Sequence, residues 1–375
     1  MASTAREHEG YLFLSLLQAR AGGSVMRRVP EGDVGNLLER SGPELAREMG
    51  LGEKASRALA ELMKDFDAGG AIERLARNGF RAVTYADEAY PGRLRLAPDP
   101  PPALYVGGEL PEGASVALVG SRKATRSGIE TAGVLGRALA ARGVCVVSGL
   151  AAGVDAAAHE GALAAGGGTV GVLGCGIDVV YPRENRELYR RVRGGGALVS
   201  EYYLGEAPLA WRFPARNRII AGLSDAVVVV EAPERSGALI TGRHAIDAGR
   251  DVWAVPGPRD APECRGSNRL LADGAGVLWD VPEFLEAVCG PDDAPDRTVF
   301  DEAEVAPVLP EPPEGLPAHE AEVLRGVDFR SAGADVVVGR TGVEMKAVLS
   351  SLAMLELKGY VARDAAGNFA RRAAP

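Results

Sequence analysis

The sequence has few cysteines and no long apolar run, and each shortage excludes a class of protein. Its cysteines, Cys145, Cys175, Cys264 and Cys289, are scattered without a C-x-x-C pair. That scatter is typical of a reducing compartment and argues against a disulfide framework or a zinc site. No stretch approaches the roughly 20 apolar residues that a membrane span requires. We therefore expect a cytoplasmic protein with no bound metal and no membrane partner.

Nucleotide-binding motifs are also missing. No G-x-x-x-x-G-K-[ST] sequence occurs, so hydrolysis of a nucleotide by a Walker-type fold is unsupported. A literal G-x-G-x-x-G at Gly166, Gly168 and Gly171 precedes its predicted strand, whereas a dinucleotide-binding loop follows one. No cofactor is expected.

The net charge of −9 at first argues against a nucleic-acid ligand. Its distribution weakens that objection, because the segment 291–316 carries eight acidic residues and one basic residue. The remainder of the 375 residues is therefore close to neutral.

The pattern of apolar residues divides the chain into four parts. Residues 1–84 read as short helices with glycine breaks, like a SAM-like or helix-hairpin-helix-like domain. From 85 to 290, near-continuous apolar strands alternate with amphipathic helices, which predicts a Rossmann-like, doubly wound parallel sheet. The segment 291–316 has the composition of an acidic, proline-rich linker. Residues 317–375 read as a winged-helix domain.

A turn in the predicted core presents an arginine. The apolar strand Ser115–Val119 is followed by Gly120, Ser121, Arg122 and Lys123, and then by a helical pattern. The start of a helix favours an anion through its unpaired amides and its dipole. The planar guanidinium of Arg122 matches a phosphate. We expect an anion at this turn.

A second basic element, Arg216-Asn217-Arg218, lies between Phe213-Pro214 and an apolar run that begins at Ile219. Ligands of doubly wound sheets bind beyond the carboxyl ends of the strands. Because several glycine-containing turns fall at such ends, we predict one groove that holds the phosphate backbone of a nucleic acid. Its predicted residues are Gly120, Ser121, Arg122, Lys123, Gly149, Arg183, Phe213, Arg216, Asn217, Arg218, Ser236 and Gly237.

Several motifs of the core together resemble the DNA processing protein A family in order and spacing. They are Val119 to Arg122, Ser148 to Asp155 with His159, Tyr181-Pro182, Ser200 to Tyr202, Phe213 to Ile220, Ser236 to Thr241 and Val255 to Gly257. The resemblance is strong over roughly 85–290 and extends to the flanking domains by type.

The resemblance implies a single-stranded DNA-binding protein of natural transformation. It implies a homodimer that protects incoming strands and helps to load the RecA recombinase onto them, and it implies no catalysis. It assigns Arg122, Arg216 and Arg218 to the DNA groove. The sequence by itself indicates little about dimer contacts, although Leu270, Leu271, Val277 and Leu278 are candidates.

Three other interpretations remain open at this point. A phosphoribohydrolase-like enzyme with a related fold would need a carboxylate after the loop Ser236–Thr241, where Gly242, Arg243 and His244 stand. A transcription factor would read DNA through the helix 343–358, but that helix presents little basic charge. Asp155 and His159, four residues apart, are interpreted as structural in preference to a metal or acid–base pair.

Overall fold

The computed structural model describes residues 2–29, 34–290, 312–313, 315–327, 332–363 and 367–372. The chain forms two compact units, Met1–Pro295 and Asp296–Pro375. The predicted linker, 291–316, falls almost entirely outside the described residues. The boundaries of the four parts given above stay predictions.

The beginning of the first unit is helical, as its sequence pattern predicts. It contains α1 (Ala2–Ala21), 3₁₀ segments at Met26–Arg28 and Val34–Glu39, α2 (Gly42–Glu48), α3 (Glu53–Asp65) and α4 (Ala68–Arg77). These helices enclose a core of buried side chains that includes Phe13, Leu17 and Leu59. Helix α4 begins where the Asp67 carboxylate accepts the Gly70 amide hydrogen at 3.0 Å, which satisfies one of the donors left unpaired at a helix start.

A nine-stranded sheet, counted over the described residues, forms the centre of the first unit. Its strands are β1 (Arg81–Thr84), β2 (Ala103–Gly108), β3 (Ser115–Val119), β4 (Cys145–Ser148), β5 (Thr169–Leu173), β6 (Ala197–Ser200), β7 (Ala226–Val229), β8 (Asp251–Ala254) and β9 (Gly276–Val277). Their order is β1-β2-β6-β5-β4-β3-β7-β8-β9. Pairing is parallel from β6 across to β9.

Six of the eight helices of this region, counted over the described residues, follow the alternation that the sequence predicts, whereas the first and the last are not predicted. The eight helices are α5 (Gly92–Arg95), α6 (Arg126–Ala141), α7 (Val154–Ala164), α8 (Arg186–Gly195), α9 (Arg212–Gly222), α10 (Gly237–Asp247), α11 (Arg265–Ala272) and α12 (Val281–Cys289). Strands β3, β5 and β7 are buried along their whole length, as expected for a parallel sheet with both faces covered. The chain order reverses between β3 and β7, so the doubly wound, Rossmann-like fold is confirmed.

Two parts of the sheet differ from the prediction. Arg81–Thr84, which belongs to the segment predicted as short helices, is strand β1. The sequence predicts an extended connection from Tyr90 to Gly108, but Ala103–Gly108 is strand β2, paired antiparallel with both β1 and β6. The run Ala103 to Val106 is fully buried. Five prolines in the preceding dozen residues favour a loop, and the short apolar run after them carries no periodic signal of its own.

The second unit is a small winged-helix arrangement. It contains α13 (Ala318–Arg325), α14 (Ala334–Thr341), α15 (Met345–Leu357) and an antiparallel pair, β10 (Val361–Arg363) and β11 (Phe369–Arg371). Val323, Val337, Leu352 and Phe369 are among its buried residues. The predicted order of three helices and a two-stranded wing is confirmed. In the parts of both units that the structure describes, no helix has the length and apolar character needed to cross a bilayer.

Candidate nucleic-acid interface

The predicted turns meet at the carboxyl edge of the parallel strands, which we call the rim. Strand β3 leads into Gly120-Ser121-Arg122, β4 into Gly149, β5 into Gly174 and β7 into residues 230–237. The ends of β3 and β7 are adjacent and lie at the point where the strand order reverses. Doubly wound sheets bind their ligands at this position.

Backbone hydrogen bonds fix the turn that carries Arg122. The Ser121 amide donates to the Glu231 carbonyl at 2.7 Å, and the Val154 amide donates to the Ser121 carbonyl at 3.2 Å. The Ser121 hydroxyl accepts the amide hydrogen of Lys123 at 3.1 Å. Arg122 and Lys123 are exposed beyond this fixed backbone. The turn therefore presents two positive side chains from a rigid base.

Arg122 lies over Phe213, which is one ring of an aromatic pair. Its guanidinium carbon lies 5.3 Å from the centroid of the Phe213 ring, and the rings of Phe213 and Tyr181 are 5.2 Å apart. Phe213 packs directly over Gly174, where an added Cβ would approach the ring to 2.9 Å. Tyr181 is exposed, and Arg183 follows it as a further exposed cation. We call Arg122, Phe213 and Tyr181 the cation–aromatic track.

The helix start predicted to attract an anion is already occupied by a carboxylate of the chain. Glu231, which is buried at the end of β7, accepts the amide hydrogen of Thr125 at 2.9 Å and also the Thr125 hydroxyl. Thr125 in turn caps α6 by accepting the Gly128 amide hydrogen at 3.1 Å. The sequence predicts an external anion at this turn, whereas in the structure Glu231 of the chain itself places a carboxylate there.

A second carboxylate occupies the loop after β4. Asp155 accepts the amide hydrogens of Gly149 at 3.1 Å and Ala151 at 3.4 Å. Burial raises the pKa of Asp155, while the positive charge of Arg216 and the two amides act in the opposite direction. Asp155 therefore shapes the rim from inside, in agreement with its structural interpretation.

Arg216 is predicted to line the groove, and the structure buries its side chain. It donates to the carbonyl of Gly149 at 2.8 Å and to the carbonyl of Val172. A Cβ at residue 149 would lie 2.2 Å from its guanidinium, so the absent side chain of Gly149 makes room for it. Burial lowers the pKa of Arg216, although Asp155 nearby raises it. Arg216 supports the rim from beneath.

Arg218 is also engaged by protein groups. It donates two hydrogen bonds to Glu201, at 2.9 and 2.7 Å, and one to Asp99 at 3.1 Å. Burial on its own would lower the pKa of Arg218, but the charges and hydrogen bonds of Glu201 and Asp99 raise it. The sequence and the family resemblance place Arg218 in the DNA groove, whereas in the structure two carboxylates already satisfy its guanidinium.

The remaining predicted residues connect α9 with α10. Asn217 accepts a hydrogen bond from Arg216 at 3.1 Å and donates one to the Gly237 carbonyl at 3.1 Å. The Ser236 hydroxyl accepts the amide hydrogen of Ala238 at 3.2 Å and so caps α10. Gly237 is exposed. The structure thus brings these residues to one rim, with Arg122, Lys123, Arg183 and Gly237 on its surface.

His159 belongs to the interior. Its Nδ1 lies 2.7 Å from the Thr169 hydroxyl, which donates its own proton to the Val146 carbonyl. Nδ1 must therefore carry the hydrogen. Burial, and then the charge of Arg216, lowers the pKa of His159 to about 3. Over the described ranges, no cluster of three or more His, Cys, Asp or Glu residues is arranged to hold a metal ion.

Sequence reasoning missed the carboxylates of the rim. Glu231 fills the helix start, while Glu201 and Asp99 hold Arg218. A usable signal was present for Glu231, since it is the charged residue that directly follows the apolar run 226–230. The partner of that carboxylate, Thr125, lies 106 positions away along the chain and could not be inferred.

The comparisons with known proteins agree with this architecture. The family model for DNA recombination-mediator protein A matches residues 81–289, and the model for the DprA winged helix domain matches 307–367. The chain is 36% identical over 317 residues to Protein Smf from Synechocystis sp., covering 77% of this chain and 80% of that protein.

Two solved structures are similar to the described fold. DNA processing protein A from Streptococcus pneumoniae aligns with a TM-score of 0.64 and 33% identity, over 74% of this chain and 98% of that one. DNA processing protein A from Helicobacter pylori, described for its single-stranded DNA binding mode, aligns with a TM-score of 0.51 and 30% identity, over 56% of this chain and 95% of that one.

Proposed function

The chain belongs to the DNA recombination-mediator protein A family, and from this membership we propose that it binds single-stranded DNA at the rim without reading its sequence. The cation–aromatic track carries the proposal, because it joins a phosphate-binding guanidinium to two stacking rings on a fixed backbone. The single-stranded DNA binding mode described for the Helicobacter pylori protein supports the choice of ligand.

Each predicted residue has a role in this proposal. Arg122, Lys123 and Arg183 contact phosphates, and Phe213 with Tyr181 stacks on bases. The residues that shape the rim beneath them are Gly120, Ser121, Gly149, Arg216, Asn217, Arg218, Ser236 and Gly237. Stacking on a ring requires an exposed base face, which a duplex does not offer along its length. A preference for single strands follows.

The test is a binding titration by fluorescence anisotropy, with single-stranded DNA, duplex DNA and RNA of equal length. We expect single-stranded DNA to bind most tightly. The logarithm of its affinity should fall by about 0.7 per phosphate contact for each logarithmic unit of salt. Equal affinity for duplex and single strand, with no salt dependence, would contradict the proposal.

We also propose the cellular role that the family resemblance implies. In this role the chain protects incoming strands during natural transformation in the cytoplasm and helps to load RecA. The test follows RecA-dependent ATP hydrolysis on DNA already coated with a single-strand-binding protein. Addition of the chain should shorten the lag, whereas an unchanged lag would remove RecA from the proposed partners.

A homodimer is part of the same proposal. Strand β9 lies at the end of the strand order, next to β8, and carries exposed Val277 followed by exposed Trp279. Leu278 is buried within the unit, so it leaves the set of candidate contacts. Light scattering should give twice the mass of the chain. Val277→Asp should then shift the mass towards that of the monomer.

We propose no catalytic activity. The phosphoribohydrolase-like alternative lacks its carboxylate after Thr241. Incubation of the purified chain with AMP tests this directly. Release of ribose phosphate would restore the enzyme as an interpretation.

A further inference from the structure

A cavity of about 240 Å³ opens beside the start of α9 in the first unit. Its walls include Ser24, Asp99, Glu201, Trp211, Arg218 and His244. Trp211 is the residue that immediately precedes α9, two positions before Phe213 of the cation–aromatic track. The cavity therefore runs along the helix whose first turn carries Phe213, and it combines an aromatic wall with hydrogen-bonding groups.

Exposed aromatic side chains are concentrated here. Among the described residues the exposed aromatics are Tyr181, Trp211 and Trp279, and the first two belong to the surroundings of the α9 start. Trp211 is 45% exposed although it packs edge-on against Tyr202, with the ring centroids 6.3 Å apart. A large aromatic surface left open beside a cavity suits a planar ligand that stacks.

The volume of the cavity restricts its ligand to a small chemical group. Sites for drug-sized molecules measure roughly 300–1,000 Å³. The cavity beside Trp211 is smaller, so it suits a fragment of about the size of a single base.

The polar groups of the cavity favour a donor on the ligand. Asp99 accepts from Ser24 on one carboxylate oxygen and from Arg218 on the other, and each oxygen keeps a further lone pair. The carboxylate is a quarter exposed, so it remains reachable. Burial, and then the charge of Arg218, lowers the pKa of His244, which keeps its ring neutral near pH 7. An amino group on the ligand would donate a hydrogen bond to a remaining lone pair of the Asp99 carboxylate.

We propose that this cavity binds one unpaired nucleobase that carries an exocyclic amino group, taken from a strand held at the rim. The inference rests on the proposed function, because the strand must first bind there. Adenine and cytosine present such a group, and thymine presents a carbonyl oxygen in its place. The chain therefore has a modest base preference added to a backbone-driven affinity.

The experiment uses Trp211 as its own reporter. In the full chain with Trp253→Phe and Trp279→Phe, Trp211 is the single tryptophan. Oligonucleotides of dA, dC and dT of equal length, and an abasic strand, are titrated while anisotropy and tryptophan fluorescence are recorded together. We expect dA and dC to quench Trp211 and to bind about fivefold more tightly than dT. The abasic strand should bind without quenching.

Two variants of the cavity residues and one control distinguish binding of a base in the cavity from binding of the strand at the rim. Trp211→Ala should abolish the difference between dA and dT, while Leu209→Ala, with a similar exposure of 42%, should leave it intact. Asp99→Asn keeps the shape of the side chain and adds a donor, so it should shift the preference towards dT. That shift tests the pocket even where Trp211→Ala fails to fold.

The two proposals fail in different ways. Loss of binding for every strand would overturn the proposed function. Equal binding of dA, dC and dT with unchanged Trp211 fluorescence would overturn the base pocket and leave the rim proposal in place. Quenching by the abasic strand as strong as that by dA would also overturn the pocket, because the sugar-phosphate chain would then explain the signal.

Discussion

The guanidinium of Arg218 donates to both carboxylate oxygens of Glu201, at 2.9 and 2.7 Å. The Glu201 side chain is only 3% exposed and accepts a further hydrogen bond from Gln18 at 2.6 Å. Arg218 also reaches Asp99. An arginine that sequence and family resemblance assign to DNA thus neutralises two acids and connects the core sheet with α1.

Arg218→Ala should therefore act on stability. The substitution leaves Glu201 buried without its positive partner, which typically costs about 3–5 kcal/mol. We expect the free energy of unfolding, measured with urea, to fall by an amount of this order. Arg77→Ala, which removes an exposed ion pair with Glu73, should change it by no more than about 0.5 kcal/mol. If the free energy of unfolding stays unchanged while DNA binding is lost, Arg218 contacts DNA and is not chiefly a structural residue.

Arg122→Ala should show the opposite behaviour. Arg122 is exposed and its backbone is fixed independently of the side chain, so the urea midpoint should stay at the wild-type value. Affinity for single-stranded DNA should fall at least about tenfold, and the salt slope should decrease by about 0.7 for the lost phosphate contact. Arg122→Lys should retain the slope but lose part of the affinity. Wild-type affinity for both variants would remove Arg122 from the interface.

Arg216→Ala should resemble Arg218→Ala more than Arg122→Ala. Removal of the guanidinium leaves the carbonyls of Gly149 and Val172 without this donor and leaves the buried Asp155 without a nearby positive charge. We expect a large fall in thermal midpoint. DNA affinity, compared at a temperature where both proteins are folded, should change less than in Arg122→Ala. A stable Arg216→Ala protein with abolished binding would contradict this assignment.

The alternation of strands and helices could be predicted because each core strand is a continuous apolar run. Strand β5, Thr169–Leu173, coincides with such a run. Strand β2 could not be predicted in the same way, because its partners β1 and β6 lie far apart along the chain and prolines precede it. Antiparallel edge pairing is decided by those distant partners, and a local pattern carries no record of them.

The position of the rim could be predicted from the sequence, but the state of its arginines could not. Arg122 lies in the turn that follows strand β3, and a turn at the end of a sheet strand lies at the surface. Arg216 lies three and four residues before Ile219 and Ile220, so it shares the buried face of α9 with them. That spacing could have indicated burial. The carboxylates that pair with Arg218 come from residues 99 and 201, and their approach is a property of the whole fold.

Glu231 offers a test of the anion position at the start of α6. Glu231→Ala leaves the Thr125 amide and hydroxyl without their acceptor, which should lower the free energy of unfolding by about 1–3 kcal/mol. The vacated helix start should then accept an external anion. We expect inorganic phosphate to raise the thermal midpoint of the variant more than that of the wild type. An equal rise in both proteins would show that the helix start does not select anions.

Stability should also depend on pH through His159, which is neutral in the folded chain. The pKa of His159 is lowered to about 3 from a usual value of 6.5. Between these values the unfolded chain binds a proton that the folded chain refuses, so stability falls as the pH decreases from 6.5 towards 3. The contribution of His159 is about 1.4 kcal/mol for each pH unit inside that window.

His159→Asn isolates this contribution, since an amide nitrogen can replace the Nδ1 donor to Thr169 but does not titrate. Asp155 acts in the opposite sense, because its raised pKa makes the folded chain the better proton acceptor just above pH 3.8. The comparison is therefore sharpest in the upper part of the window, towards pH 6.5, away from the titration of Asp155. Urea unfolding at several pH values should give a shallower slope for His159→Asn than for the wild type. Parallel slopes would contradict this prediction, because they would mean that His159 is protonated as readily in the folded chain as in the unfolded chain. The buried contact between His159 and Thr169 disfavours such protonation.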